Sequence, residues 1–347
     1  MKAIFSIALT ALIFTHLQAC TRVVYLGEDE RILTARSMDW KVDIGTNLWI
    51  LPRGIERSGG GGENSITWKA KYGSVVATAY DIASADGVNE KGLFANLLWL
   101  VESKYPQNDG QKSALATSLW AQYVLDNFAT VTEAVDALRK EEFIVVTDLM
   151  PGFVDKMATV HLSISDSSGD SAIFEYVDGK LTIHHGKEYQ IMTNSPIFEQ
   201  QLAISSYWGD IDGTVMLPGT NKASDRFVRA KYYINAIEQT KDQTLATAGV
   251  FSVIRNVSVP FGITTPDQPN ISSTRWRTVV DHKSLIYYFE SAMSPNIFWV
   301  DLNNVDFSHN AKVKKLELGK NQSIIYSGEV SKKFKVSKPF AFQELAH

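Results

Sequence analysis

The amino-acid sequence predicts an α+β fold in which two β-sheets lie between two helical layers. Three observations carry that expectation. β-rich and helical stretches follow one another in the order strands, helices, strands, helices, strands; no internal repeat is visible; and no linker of the kind that separates domains interrupts the chain. With 347 residues, 45% hydrophobic and 21% charged, the chain suits one large globular domain or two small ones. The missing linker favours a single domain over 20–347.

Met1-Lys2, an apolar run over 3–14 and the small residue Ala19 read as a secretory signal, 1–19, that is removed and sends the chain to the periplasm. Leu17 stands where a small residue is usual before such a cut. No second apolar stretch is long enough to cross a bilayer, so no integral membrane span is expected. Cys20, the one cysteine, would become the first residue of the mature chain; it can form no internal disulfide and is a candidate reactive thiol. Leu17-Gln18-Ala19-Cys20 also fits a lipobox, in which the cysteine carries lipid and only anchors the protein. Such cysteines usually lead into a polar tether, whereas here the β-rich 21–26 follows at once, closed by the turn Gly27-Glu28-Asp29-Glu30 and a second run from Arg31.

Further β-rich runs lie at 47–51, 65–68, 74–80 and 92–100. The glycines of Arg57-Ser58-Gly59-Gly60-Gly61-Gly62 lack the Gly-Lys-Ser/Thr ending of a phosphate loop and read as a flexible surface loop. Leu115, Leu119 and Tyr123 at four-residue spacing predict a helix, and Thr130-Val131-Thr132-Glu133 is a capping box opening another with Val131, Val135 and Leu138 inward. Strands follow at 143–146, 159–164, 172–176, 181–184 and 189–193. His184 and His185 are neighbours on a strand, hence on opposite faces and no joint metal site; His161 reads as a packed strand residue. Helices begin at Ser195-Pro196 and Ser224, with a third inside 244–256. Runs at 274–280, 284–289 and 297–302 close the fold before a lysine-rich tail read as peripheral. The net charge of −4 leaves no basic excess for nucleic acid.

An N-terminal cysteine holds a thiol and a free α-amine on adjacent atoms, a nucleophile and a base from one residue. Arg36 and Asp39 return on the second strand of the same hairpin, but on a flat strand they face opposite ways. Asn194, at a strand end, has an amide suited to donate to an oxyanion. Arg226 lies in the first turn of a helix, where the macrodipole disfavours a cation, so a carboxylate such as Asp39 is expected to hold it.

These residues, with Arg36-Ser37-Met38-Asp39-Trp40, Asp86-Gly87-Val88-Asn89-Glu90-Lys91-Gly92-Leu93, Met192-Thr193-Asn194-Ser195-Pro196, Leu217-Pro218-Gly219, Ser224-Asp225-Arg226-Phe227 and Ile286-Tyr287-Tyr288-Phe289, resemble the choloylglycine hydrolase family over nearly the whole mature chain. That family comprises penicillin V acylases and conjugated bile salt hydrolases of αββα N-terminal-nucleophile fold. The resemblance implies Cys20 as nucleophile with its own amine as base, Arg36 and Arg226 beside the thiol, Asp39 orienting the amine and Asn194 donating to the oxyanion. It places the second oxyanion donor at the Trp99 backbone N–H, six places after Leu93, where bile salt hydrolases usually carry asparagine and some acylases tyrosine. It implies no metal or organic cofactor, a small-molecule amide substrate, and a homo-oligomer, tetrameric in some members. The segment between Asn194 and Arg226 is shorter than in Gram-positive members, which carry an assembly loop there.

Trp40 beside Asp39, and Trp99 in the oxyanion segment, are expected to line the acyl pocket, where flat indoles suit an aryl group or a straight chain better than a bent steroid. The resemblance is to the Gram-negative, penicillin V acylase-like branch, whose members can also cleave long-chain acyl-homoserine lactones, the diffusible quorum signals. A conjugated bile salt hydrolase is the alternative within the family. Of another class is a lipid-anchored, non-catalytic binding protein.

Overall fold

The computed structural model describes residues 20–151, 153, 156–264 and 272–345; the predicted signal segment 1–19 lies outside them. Among the described residues one sheet has seven strands, in the order Ile191–Met192, Thr21–Leu26, Ile32–Trp40, Ser273–Asp281, Ile286–Ser291, Ile297–Asp301, Gly328–Glu329. A second has nine, in the order Lys180–His185, Ser171–Val177, Val160–Ser165, Phe94–Trp99, Ala83–Asn89, Ser74–Ala79, Leu48–Leu51, Lys314–Leu316, Lys335–Val336. Helices α1 (Thr117–Asn127) and α2 (Val131–Leu138) cover the nine-stranded sheet, with Leu119, Trp120 and Val124 packed among Val76, Ala95 and Phe174. On the seven-stranded sheet lie α3 (Phe198–Ile211), α4 (Ala223–Ala236) and α5 (Gln243–Asn256), with Phe227, Ala230 and Ile254 in one core with Val23 and Tyr25. The four-layer αββα sandwich is therefore present.

Strand Ile32–Trp40 is buried at all nine positions, because its neighbours occupy both edges while helices and the second sheet cover its faces. The expected hairpin forms, antiparallel, with Thr21 opposite Ser37 and Leu26 opposite Ile32. On the other edge of Ile32–Trp40, Arg275 is an extra residue between the pairs Thr274 with Asp39 and Trp276 with Met38. This bulge re-aims the strand end beside the thiol.

Three expectations need correction. Gly59, Gly60 and Gly61 are buried rather than a surface loop. Gly59 accepts from the Ala116 N–H at 2.7 Å, and a Cβ on Gly61 would stand 2.4 Å from the Ala114 Cβ, so close packing excludes a side chain there. Ser195-Pro196 does not open α3: the peptide between them is cis, and the helix begins at Phe198 with its N–H donating to Glu175 at 3.0 Å. A carboxylate from the other sheet replaces the local cap. Finally, the lysine-rich tail adds strands to both sheets and returns to the site, as described below. The Thr130 cap forms as expected, its side chain accepting from the Glu133 N–H at 3.2 Å.

Candidate active site

Cys20 stands just before strand Thr21–Leu26, only 4% exposed, one residue before the pair of Thr21 with Ser37. Its Sγ accepts from the Asp39 N–H at 3.4 Å and lies 3.8 Å from the Asp39 carbonyl oxygen. Burial pushes the thiol up; the Arg36 charge opposes this, the Asp39 charge adds to it, and the Asp39 backbone and Arg226 oppose it more weakly.

Arg36 and Asp39 do face opposite ways, yet both bear on the thiol because Cys20 sits at a strand end, where both faces are within reach. Arg36 points between the sheets: it donates to the Leu97 carbonyl at 2.9 Å, lies 4.6 Å over the Trp276 ring and has Asp86 at 3.9 Å. Asp39 accepts from Ser37 Oγ at 3.4 Å on one oxygen, while its buried Oδ1 has no hydrogen-bond partner among the described residues. Burial pushes its carboxyl up to about 6, against the lowering influence of Arg226.

The Arg226 expectation holds only in part. Asp39 does contribute to its electrostatics, but the guanidinium is fastened by acceptors: the Cys20 carbonyl at 2.7 Å, the Thr21 hydroxyl, the Asn221 carbonyl at 3.1 Å and Asn194 Oδ1 at 3.0 Å. A buried cation in a first turn is thereby reconciled with the helix dipole. Burial lowers its pKa to about 10, still protonated at neutral pH.

Asn194 is oriented from both ends. With Oδ1 bound to Arg226, its Nδ2 donates to the Trp99 carbonyl at 2.7 Å, and an asparagine amide has a second N–H to offer a ligand. The Leu100 N–H pairs with the Thr159 carbonyl, so the Trp99 backbone, one residue out of phase, points away from that neighbouring strand. In an extended residue N–H and C=O share a side, so the Trp99 N–H faces the side where the Asn194 amide lies. The rings of Trp40 and Trp99 are 5.5 Å apart at 48°, and the Lys156 ammonium lies 4.9 Å and 4.6 Å from them. Both indoles line a cavity of about 100 Å³ together with Cys20, Arg36, Met150 and Gln343. His184 and His185 are indeed separate, the latter on Asp170 at 2.8 Å and the former among the rings of Tyr189 and Phe198.

A sequence profile described as "Linear amide C-N hydrolases, choloylglycine hydrolase family" matches residues 20–315. The chain belongs to the choloylglycine hydrolase family. It is thus a linear-amide hydrolase. It is similar to a penicillin V acylase of Pectobacterium atrosepticum, 56% identical, with 94% of this chain and 93% of the relative covered. The structure is similar to that of penicillin V acylase from Agrobacterium tumefaciens, with TM-score 0.88 and 61% identity over 94% of this chain and 100% of the other. A conjugated bile acid hydrolase mutant from Clostridium perfringens shares the fold at TM-score 0.73 and 23% identity, covering 88% of this chain and 99% of the other.

Some residues around the site of this choloylglycine hydrolase carried no readable role in the sequence. Asp86 was visible only as part of a motif; folded, it stands between Arg36 and the Tyr287 hydroxyl, which donates to it at 2.5 Å, with Thr278 at 3.3 Å. Its partners come from strands far apart in sequence, so no local signal could have joined them. Burial pushes Asp86 up to about 6 from an ordinary 3.8, against the lowering effects of Arg36, Tyr287 and Thr278. Between the ordinary 3.8 and about 6 the folded chain therefore holds a proton that the unfolded chain releases. That contribution to stability is full below the ordinary value and is lost as pH rises through about 6, with a slope of up to about 1.4 kcal/mol per pH unit. Between about pH 5 and about pH 7 the wild type should lose more stability than Asp86→Asn, which has no such proton to exchange. Denaturation midpoints at the two pH values check this, and parallel slopes would mean that Asp86 ionises at its ordinary value.

Proposed function

We propose that this chain is an exported penicillin V acylase whose nucleophile is Cys20 after removal of 1–19. The observation that carries the proposal is the gathering of Asp39, Arg226, Asn194 and the Trp99 backbone around Cys20, which together with Arg36 and Trp99 lines an apolar cavity. The freed α-amine takes the thiol proton, and the thiolate attacks the amide carbonyl. Asn194 Nδ2 and the Trp99 N–H hold the tetrahedral oxyanion. The ammonium returns the proton to the departing amine as the C–N bond breaks, leaving a thioester. Water, deprotonated by the same amine, then releases the acid and restores the thiol. The unpartnered Asp39 Oδ1 is the acceptor that orients the amine, and the Arg36 and Arg226 charges favour the thiolate over the thiol.

Cys20 belongs to the buried core and passes without a tether into a strand, so a lipid on it would have to be packed inside the protein. This favours the enzyme over the anchored binding protein. The residues 1–19 pattern supports the periplasm, and no described helix is long and apolar enough to cross a membrane. Tyr207, Val215 and Met216, exposed on and just after α3, support a homo-oligomer.

For the substrate, the cavity of about 100 Å³ between two indoles is smaller than the cavity of about 150 Å³ that admits benzene, so it has no room for a rigid steroid, and its flat walls better suit an aryl ring or a slender chain that enters from the open side. Phenoxymethylpenicillin and long-chain N-acyl-homoserine lactones are expected to be cleaved with higher kcat/KM than glycine- or taurine-conjugated bile salts. Parallel measurements on all three classes test it. A preference for the bile conjugates would assign the chain to bile salt hydrolysis and leave the Cys20 chemistry standing.

A further inference from the structure

We propose that the C-terminal tail is a specificity element, with Gln343 closing the far end of the acyl cavity and setting the length of acyl group admitted. The proposal rests on the acylase reading of Cys20 and its cavity. The family match ends at residue 315, so the tail lies beyond it.

The cavity is lined at one end by Cys20, Arg36 and Leu97, which lie between the sheets. It is also lined by Thr117 and Ser118, which open α1 in the helical layer behind the nine-stranded sheet. The cavity therefore passes the ends of central strands of that sheet, where Ala83–Asn89 and Phe94–Trp99 cease to pair beyond Asp86 and Asn96, and Gln343 stands on the α1 side, away from the thiol, because Ser118 Oγ donates to its carbonyl at 2.6 Å. The Gln343 N–H donates to the Ile82 carbonyl at 2.9 Å, and its side-chain Nε2 to the Leu149 carbonyl at 2.8 Å. Leu149 precedes Met150 and Pro151, both of which line the cavity. One residue thus forms part of the end wall and ties down the neighbouring part.

The tail is fastened around Gln343. Phe340 packs on Trp49 at 5.1 Å and on Phe342 at 4.6 Å, Arg57 lies 5.2 Å over the Phe342 ring, and the Leu345 N–H donates to the Gly60 carbonyl at 2.8 Å. Gly60 lies against α1 and the tail with φ +66°, and a Cβ there would press on the Leu119 side chain at 3.2 Å and the Ala116 Cβ at 3.3 Å. An acyl chain that outgrows the cavity meets a wall held by three hydrogen bonds, and its extra methylenes go unaccommodated.

The test measures kcat and KM for wild type, Gln343→Ala and Gln343→Trp on N-acyl-homoserine lactones of increasing acyl length and on phenoxymethylpenicillin. Gln343→Ala should raise kcat/KM for the longest chains relative to short ones by about tenfold, mainly through KM, and Gln343→Trp should shift the preference towards short chains. Phe340→Ala, which loosens the tail without touching the cavity, should move it in the same direction as Gln343→Ala. An unchanged length profile in folded variants, or equal losses of kcat on every substrate, would overturn the proposal while wild-type turnover leaves the acylase reading intact. A wild type that cleaves none of these amides would overturn both.

Discussion

Replacing Cys20 by alanine is expected to abolish amide hydrolysis, a loss of about 10⁶-fold if this nucleophile behaves like those whose removal alone disables a catalytic unit. No other cysteine exists to substitute for it, and the thiol has the Asp39 N–H and the Arg36 and Arg226 charges gathered around it. On the same argument the unprocessed chain is expected to be inactive. With residue 19 still attached, the Cys20 nitrogen is an amide whose lone pair is delocalised into the carbonyl and cannot accept the thiol proton. Mass analysis of the mature N-terminus alongside the rate measurement checks both halves. A bare Cys20 that turns over amides supports the mechanism. Full turnover by a sequence-verified precursor would refute it, and a diacylglyceryl cysteine would favour the anchor.

Asn194→Ala should lower kcat by about 10²- to 10³-fold, the usual loss when one oxyanion donor is removed. The protein should remain folded, because the backbone there is held independently: Gln201 donates to the Pro196 carbonyl at 2.6 Å, and the Thr193 hydroxyl bonds to the Ala223 carbonyl at 3.0 Å. The substitution also leaves Arg226 without one acceptor and the Trp99 carbonyl without its donor, so a modest fall in stability accompanies the rate loss. Circular dichroism and a denaturation curve separate the two effects. A kcat within twofold of wild type would remove Asn194 from the oxyanion site.

Much of the fold is written in local pattern. The hairpin from Thr21 to Trp40, the Thr130 capping box and the helices near 224 and 244 follow from turn chemistry, capping and periodicity, which act over a few residues and so leave a mark on the sequence. The order of blocks gives the layers, and the position of Cys20 together with the spaced family motifs singles out the candidate site residues. What the sequence could not express is pairing between distant segments. Arg226 gives no local hint that its acceptors are the Cys20 carbonyl and Asn194; Glu175 caps α3 from another sheet; Asp86 meets Tyr287 only across strands. The tail shows the same limit most plainly. As composition it is lysine-rich and reads as peripheral, but Phe340, Phe342 and Gln343 find their places only once the nine-stranded sheet and α1 exist to receive them. The sequence by itself pointed to the proposed chemistry, because the thiol and the nitrogen of Cys20 are adjacent in the covalent chain. Only the tertiary structure decided the shape of the pocket, because its walls are drawn from segments more than 200 residues apart, whose meeting depends on burial and non-local hydrogen bonds.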